Sequence, residues 1–286
     1  MATYARRNKV KEKVLNGELV LGMENWLQAP RIIELMGAAG FDYVHIDCEH
    51  VGRTWAEVQE NVRTAELAGL TPLYRTGQCF DGQAPINEII MALKVGVQII
   101  KVPQVDTAET ARKIVAAAKY PPLGRRGIAT CDRGMREIFP TAETPLDIPL
   151  YTKEKNDEVM IWAILETPEA VKNAEEILDV EGIDCIGFGP QDYSMSAGVY
   201  DPAKVEEVRF KLFETAKRHG KNMWFNPSSA KIAKDYFDKG VRIIQFGCDI
   251  VHLNIMLQGF SNDLRKIEAG TYSASKQDDD NVIGWG

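Results

Sequence analysis

Short apolar runs recur along the chain, each followed by a segment whose apolar residues fall at helical spacing. The runs occupy 19–23, 42–47, 71–75, 97–102, 159–165, 185–188, 222–225 and 242–246. They are too short for amphipathic helices and read as strands buried on both faces. The intervening spacing predicts helices over 30–36, 55–67, 86–93, 107–118, 168–178, 202–218, 228–237 and 250–267. Pro30 and Pro168 stand where a helix can begin, Thr107 is placed to cap one, and Gly37, Gly40 and Gly69 mark ends. Residues 1–17 are a polar lead-in compatible with a helix.

Eight strand–helix alternations without a linker-like change of composition imply parallel strands joined by crossover helices. The prediction is an α/β fold, a single-domain (β/α)8 TIM barrel over 1–270. No GxGxxG or Walker-type loop interrupts the pattern, which argues against an open nucleotide-binding sheet. Residues 120–158 break the rhythm, with Pro121-Pro122-Leu123-Gly124-Arg125-Arg126-Gly127 opening what reads as a long functional loop. Gly124 to Gly127 suits either an anion or a subunit contact. Residues 271–286 read as a polar C-terminal tail, docked only if Trp285 finds a neighbour.

Composition narrows the function. A chain of 286 residues that is 45% hydrophobic can bury a full core. Its net charge of -7, with no basic stripe, argues against nucleic acid as a partner. No apolar run reaches membrane-spanning length. Five scattered cysteines without a CxxC pair, and a polar N-terminus, place the expectation in the cytoplasm.

The densest ionisable cluster is His45-Ile46-Asp47-Cys48-Glu49-His50, at the end of the second strand. Charges there are costly unless paired, hydrated or metal-bound. Barrel active sites lie at the C-terminal ends of strands. That rule gathers Asp47, Glu49, His50, Arg75, Lys101, Glu166, Asp192, Asn226 and Asp249 at one mouth, with Gln98 inside the fourth strand. Glu166 and Asp192 have two readings: caps of the helices that follow, or carboxylate ligands for Mg2+ or Mn2+. The absence of an HxxxH or Cys/His set argues against closed zinc. Arg75 reads as a surface arginine or as a donor to a developing enolate. His50 beside Asp47 reads as a loop histidine or as an oriented base, whereas mid-strand His45 reads as a satisfied core residue. Lys101 reads as a salt-bridge partner of a mouth carboxylate in preference to a Schiff-base lysine. Cys48, flanked by acids, is a poor candidate nucleophile.

These residues carry a resemblance. Ala39-Gly40-Phe41-Asp42 leading to Ile46-Asp47-Cys48-Glu49-His50, Arg75, Gly96-Val97-Gln98 before Val102-Pro103, Tyr120-Pro121-Pro122 with Gly124-Arg125-Arg126-Gly127, Glu166-Thr167, Gly182-Ile183-Asp184 and Gly189-Pro190-Gln191-Asp192-Tyr193-Ser194 stand in one order across residues 18–260. In this the chain resembles the HpcH/HpaI aldolase family of metal-dependent class II pyruvate aldolases. The resemblance implies Glu166 and Asp192 as ligands of a divalent metal (Mg2+, Mn2+ or Co2+). It implies Arg75 on the keto oxygen, His50 held by Asp47 as acid/base, and Glu49 in support. Gln98 would back the site from the barrel interior, and Gly189 and Pro190, with Thr130, would hold substrate. It also implies a 4-hydroxy-2-keto acid cleaved to pyruvate and an aldehyde, and a homo-oligomer, a hexamer or another dimer-based assembly, with residues 250–267 packed on a partner. Oxaloacetate decarboxylation with condensation on the same site, and a ligand-binding barrel without turnover, are the alternatives. Cys48 where the family has glycine, Val51-Gly52 for its Ala-Pro, Lys101 for an apolar residue and Gln191-Asp192-Tyr193 for Ala-Asp-Leu are departures that bear on the acceptor.

Overall fold

A computed structural model of the chain describes residues 4–129, 133 and 145–271. Its strands are β1 (Val20–Glu24), β2 (Tyr43–Asp47), β3 (Thr71–Arg75), β4 (Ile99–Val102), β5 (Met160–Ile164), β6 (Cys185–Gly187), β7 (Asn222–Phe225) and β8 (Ile243–Cys248). They pair in parallel in sequence order, and β8 returns to β1, so the sheet closes. The helices are α1 (Lys9–Leu15), α2 (Pro30–Ala38), α3 (Trp55–Leu67), α4 (Ile86–Lys94), α5 (Ala108–Ala118), α6 (Ile148–Glu158), α7 (Pro168–Lys172), α8 (Ala174–Leu178), α9 (Pro190–Ala197), α10 (Pro202–Arg218), α11 (Ala230–Lys239) and α12 (Asp249–Glu268). The fold is the (β/α)8 barrel that the alternation predicts.

Local chemistry sets where helices start. Thr54 accepts from the Glu57 backbone N–H while the Glu57 carboxylate takes the Thr54 N–H, a capping box worth about 1 kcal/mol. Thr107, Thr167, Asp201 and Ser229 cap α5, α7, α10 and α11 through their side-chain oxygens. The strands are short, and β2, β3 and β5 are buried along their whole length because helices cover one face and the barrel interior the other.

That interior positions the site. Val20, Tyr43, Leu73, Ile99, Met160, Trp162, Cys185, Trp224 and Ile243 form an apolar cluster of their own. Gly22 makes it possible, because a Cβ there would stand 2.0 Å from Tyr43 Cζ. Strand side chains alternate faces. The inward face therefore continues from Tyr43 to His45 and Asp47, from Leu73 to Arg75, and from Ile99 to Lys101. The lower barrel is apolar and the upper barrel polar.

Three elements differ from the sequence expectation. The loop expected over 120–158 ends in α6, whose only buried residues are Tyr151, Lys155 and Asn156, too few to give a helical apolar period. The helix expected over 168–178 divides at Asn173 into α7 and α8. Helix α9 follows directly on β6; its residues are all at least partly exposed, so it too lacks an apolar face. Below the barrel, Asn8 caps α1 and its Nδ2 donates to Glu158 O at 2.9 Å, which ties the N-terminal segment under the sheet. The expected tail over 271–286 lies, past Thr271, outside the described residues.

Candidate active site

At the upper rim, β2 ends in Asp47, which is fully buried. One carboxylate oxygen accepts from the backbone N–H of Glu49 at 2.9 Å and of His50 at 3.0 Å. The other lies 3.0 Å from His50 Nδ1. Burial pushes this carboxyl up, but His45, Arg75 and the His50 hydrogen bonds outweigh it and hold Asp47 well below the usual carboxylate range. An ionised Asp47 favours the His50 tautomer with its proton on Nδ1, leaving Nε2 as the lone-pair nitrogen on a half-exposed ring. Trp26 stacks on that ring with centroids 5.7 Å apart.

Arg75 ends β3, in register with Asp47 on one side and Lys101 on the other. Its guanidinium is ion-paired to Glu49 and sits 3.8 Å from Asp47 Oδ2. Opposite, Glu166 follows β5 and is only 2% exposed. Its Oε1 accepts from the Gln104 N–H at 3.1 Å, which Gln104 delivers from a left-handed backbone (φ 53°) that costs a non-glycine residue on the order of 1 kcal/mol. Gly189, the N-cap of α9, gives Glu166 its space, since a Cβ at 189 would stand 2.2 Å from Glu166 Oε2. Burial, Asp192 and Glu49 push the Glu166 carboxyl up to about 7 against the pull of Arg75. Asp192, in the first turn of α9, is exposed to the same cleft. A buried carboxylate with an acid facing it and, among the described residues, no countercharge bonded to it fits a hard divalent cation, which two carboxylates and water can hold.

The cleft is about 550 Å³ and is lined by Glu24, Trp26, His50, Arg75, Glu166, Gly189, Pro190 and Asp192, with Trp224 and Gln245 among others. The structure thus brings together all but two of the residues assigned from the sequence. Gln98 is a correction. It precedes β4 at the lower rim, where its side-chain amide donates to Arg6 O at 2.8 Å, so it cannot support the mouth from the interior. Thr130 lies outside the described residues. Lys101 is also corrected: among the described residues it makes no direct mouth salt bridge but donates to Gln245 Oε1 at 3.1 Å, against the face of the Trp224 ring. Cys48 is pushed up to about 11, by burial first and by its acidic neighbours only weakly, so it is an inert thiol as expected. His45 is buried as expected, with Nδ1 3.2 Å from Glu24 Oε1 and 3.1 Å from Gln245 Oε1.

The sequence reading missed Glu24, Trp26, Gln104 and Gln245. Glu24 ends the first strand, and the strand-end rule that found Arg75 would have found it had that strand been extended by one residue. Glu24, His45 and Asp47 also bring one ligand atom each within 4.8 Å of one another. Glu24 is already engaged by His45 Nδ1 and by the Gln245 amide, with the Lys101 amine on the far side of Gln245.

Comparisons with known proteins converge. The family model for HpcH/HpaI aldolase/citrate lyase matches residues 25–254. The chain is similar to 2-keto-3-deoxy-L-rhamnonate aldolase of Escherichia coli (strain K12), 32% identical over 249 residues, covering 85% of this chain and 87% of the relative. Among solved structures, an HpcH/HpaI aldolase from Desulfitobacterium hafniense DCB-2 superposes with a TM-score of 0.80 at 29% identity, over 93% of this chain and 98% of that one. The citrate synthase SbnG gives 0.79 at 27% identity, over 91% and 98%.

Proposed function

The chain belongs to the HpcH/HpaI aldolase/citrate lyase family, and from that premise we propose that it is a divalent-metal-dependent carbon–carbon lyase, a class II aldolase that cleaves a 4-hydroxy-2-keto acid to pyruvate and an aldehyde, or joins them. The observation that carries the reading is the buried Glu166, accommodated by Gly189 and facing Asp192 across a cleft from His50 and Arg75. Glu166 and Asp192 would hold the cation, Mg2+, Mn2+ or Co2+, which when bound supplies Lewis acidity to the 2-keto group.

The chain's own groups do the rest. His50 Nε2 takes the proton of the 4-hydroxyl, directly or through water, and Asp47 stabilises the imidazolium that results. The C3–C4 bond then breaks, the aldehyde leaves, and the electron pair passes to the enolate. Arg75 donates to the oxygen that gains charge, with Glu49 fixing the guanidinium. The open backbone N–H groups at the start of α9, beside Gly189 and Pro190, hold the substrate carboxylate. Proton return to C3 gives pyruvate.

A second outcome, decarboxylation of oxaloacetate with condensation of the enolate, uses the same residues and is favoured by the likeness to a citrate synthase. Chelator-treated protein, reloaded singly with Mg2+, Mn2+ or Co2+ and given pyruvate with an aldehyde panel or oxaloacetate alone, separates the two by product. Full cleavage by Glu166→Ala and Asp192→Ala variants would falsify both.

The working form is proposed to be a homo-oligomer in the cytoplasm. Of the twenty residues of α12 only Asp249 is buried, leaving Ile255, Met256, Leu257 and Phe260 bare for a second copy to cover. Cys48, Cys79, Cys185 and Cys248 are free thiols, and no helix among the described residues is long and apolar enough to cross a membrane.

A further inference from the structure

The reaction uses the groups at the rim, yet a second polar layer lies just beneath it, built from Glu24, His45, Lys101 and Gln245. Gln245 Nε2 donates to Glu24 Oε1 at 2.9 Å, and His45 Nδ1 lies 3.2 Å from the same oxygen. Lys101 Nζ donates to Gln245 Oε1 at 3.1 Å and sits 3.7 Å from the centroid of the Trp224 ring. Lys101 and His45 are wholly buried, whereas Glu24 keeps 12% of its side chain exposed and, with Gln245, lines the cleft. Lys101, whose amine burial and then Arg75 push down to about 7, therefore lies behind, and the carboxylate faces the substrate. Burial pushes the Glu24 carboxyl up, but the His45 and Lys101 contacts outweigh it, so the group stays ionised at neutral pH.

The position of this carboxylate along the cleft matters. Glu166 and Asp192 stand on the β5–β6 side of the barrel, and Glu24 stands on β1, next to the β2 loop that carries His50. Trp26 is two residues past Glu24 and stacks on His50. A substrate whose keto-acid end lies at Glu166, and whose 4-hydroxyl lies at His50, continues past C4 toward Trp26, Glu24, Gln245 and Trp224. Those groups offer aromatic surface for C–H bonds and a carboxylate acceptor that the Gln245 amide holds in place. The two arginines that line the cleft are already matched, Arg75 by Glu49 and Arg209 by Glu206, the latter at 2.6 Å.

We propose that Glu24 is a specificity-determining residue that accepts a hydrogen bond from a hydroxyl of the aldehyde half and disfavours an acceptor that ends in a carboxylate. The substrate class is then a keto acid with an uncharged, hydroxylated tail. This inference rests on the aldolase reading above. A site built to hydrogen-bond a hydroxyl discriminates strongly, because an unmatched partner leaves its polar group desolvated and unpaired.

The test uses the full chain loaded with Mn2+, pyruvate as donor, and two acceptors, glyceraldehyde and succinic semialdehyde. The wild-type ratio of kcat/KM is expected to favour glyceraldehyde by roughly tenfold or more. Glu24→Gln, which keeps the shape, is expected to bring that ratio toward one, chiefly through a higher KM for glyceraldehyde. A wild-type preference for succinic semialdehyde, or an unchanged ratio in a folded E24Q, overturns the assignment of Glu24 and leaves the aldolase reading standing. If the wild-type protein neither condenses either aldehyde nor exchanges the methyl protons of pyruvate in heavy water, the aldolase reading fails and the assignment falls with it. If E24Q does not fold, Glu24→Ala takes its place in the same comparison, and a wild-type preference for succinic semialdehyde still overturns the proposal.

Discussion

Gly189 lies against the Glu166 carboxylate so closely that a Cβ at 189 would stand 2.2 Å from Oε2 and 3.2 Å from Glu166 Cβ. The neighbour is a buried side chain whose other oxygen is already held by the Gln104 N–H, so it has little room to yield. Gly189→Ala is expected to displace the carboxylate, with an overpacking cost of about 1–3 kcal/mol in stability. Because the displaced group is the proposed ligand, Mn2+ affinity and cleavage rate should fall further than stability does, by roughly a hundredfold in rate. A thermal melt, a Mn2+ titration and an aldol assay on the same preparation check this, and wild-type metal affinity in the variant would remove the proposed ligand role of Glu166.

Asp47 holds His50 in two ways, through its ring nitrogen and through its backbone N–H. Asp47→Asn can keep the backbone contact, since an amide oxygen also accepts, but it no longer stabilises a positive imidazole. The expected loss is in kcat, by roughly 10²–10⁴-fold, with KM for the keto acid little changed. Steady-state kinetics of cleavage separate the two parameters. A kcat in Asp47→Asn close to that of the wild type would place the proton transfer elsewhere.

Most of the barrel was legible because each strand is covered on both faces and so reads as an unbroken apolar run, as in Met160–Ile164. The rim residues Asp47, Arg75 and Glu166 were legible for a related reason: an ionisable residue directly after such a run must emerge at the strand's C-terminal end. Gln98 shows the limit of that logic. Val97 and Gln98 continue the apolar run in sequence, but pairing begins at Ile99, so Gln98 falls at the opposite end of the barrel. The inner layer of Glu24, His45, Lys101 and Gln245 was hidden because its contacts join residues up to 221 positions apart, and no local period marks them. Helices α6 and α9 were hidden because they bury little and carry no apolar stripe.

Glu166 makes metal binding depend on pH in a definite direction. Its folded carboxyl is pushed up to about 7 from 4.5, first by burial. Between those values the unfolded chain is ionised and the metal-free fold is protonated at this site, so the group's contribution to stability falls as pH rises from about 4.5 to about 7. A divalent cation must displace that proton below about pH 7. Apparent Mn2+ affinity should therefore weaken by up to roughly tenfold per pH unit from 7 toward 5. The stabilisation of the fold by a fixed Mn2+ concentration should be larger at pH 7.5 than at pH 5.5. Calorimetric titrations at those two values, and the same titrations on Glu166→Gln, test it; a Mn2+ affinity indifferent to pH would place the cation on other groups.

The last helix supplies a prediction about assembly. Phe260 is 69% exposed, Ile255 61% and Met256 59% on one protomer. These neighbours on α12 lie bare to water together, and burying apolar surface is worth about 25 cal/mol per Å². The helix makes few contacts with its own barrel, so the simplest source of cover is the same helix region of another copy, which a twofold axis can place reciprocally. Leu257→Glu combined with Phe260→Glu puts charge into that interface without touching the cleft. The wild type is expected to run as a dimer or higher assembly by light scattering at micromolar concentration, and the double variant as a monomer with an intact far-ultraviolet spectrum. A wild type that is monomeric under those conditions would refute the assembly. Activity adds a second readout: α12 begins at Asp249, whose carboxylate takes the Asn25 side-chain N–H at 3.0 Å and the Trp26 backbone N–H at 2.8 Å. Releasing the helix from its partner is therefore expected to loosen the loop that stacks Trp26 on His50, and to lower the cleavage rate of the monomer below that of the assembled wild type.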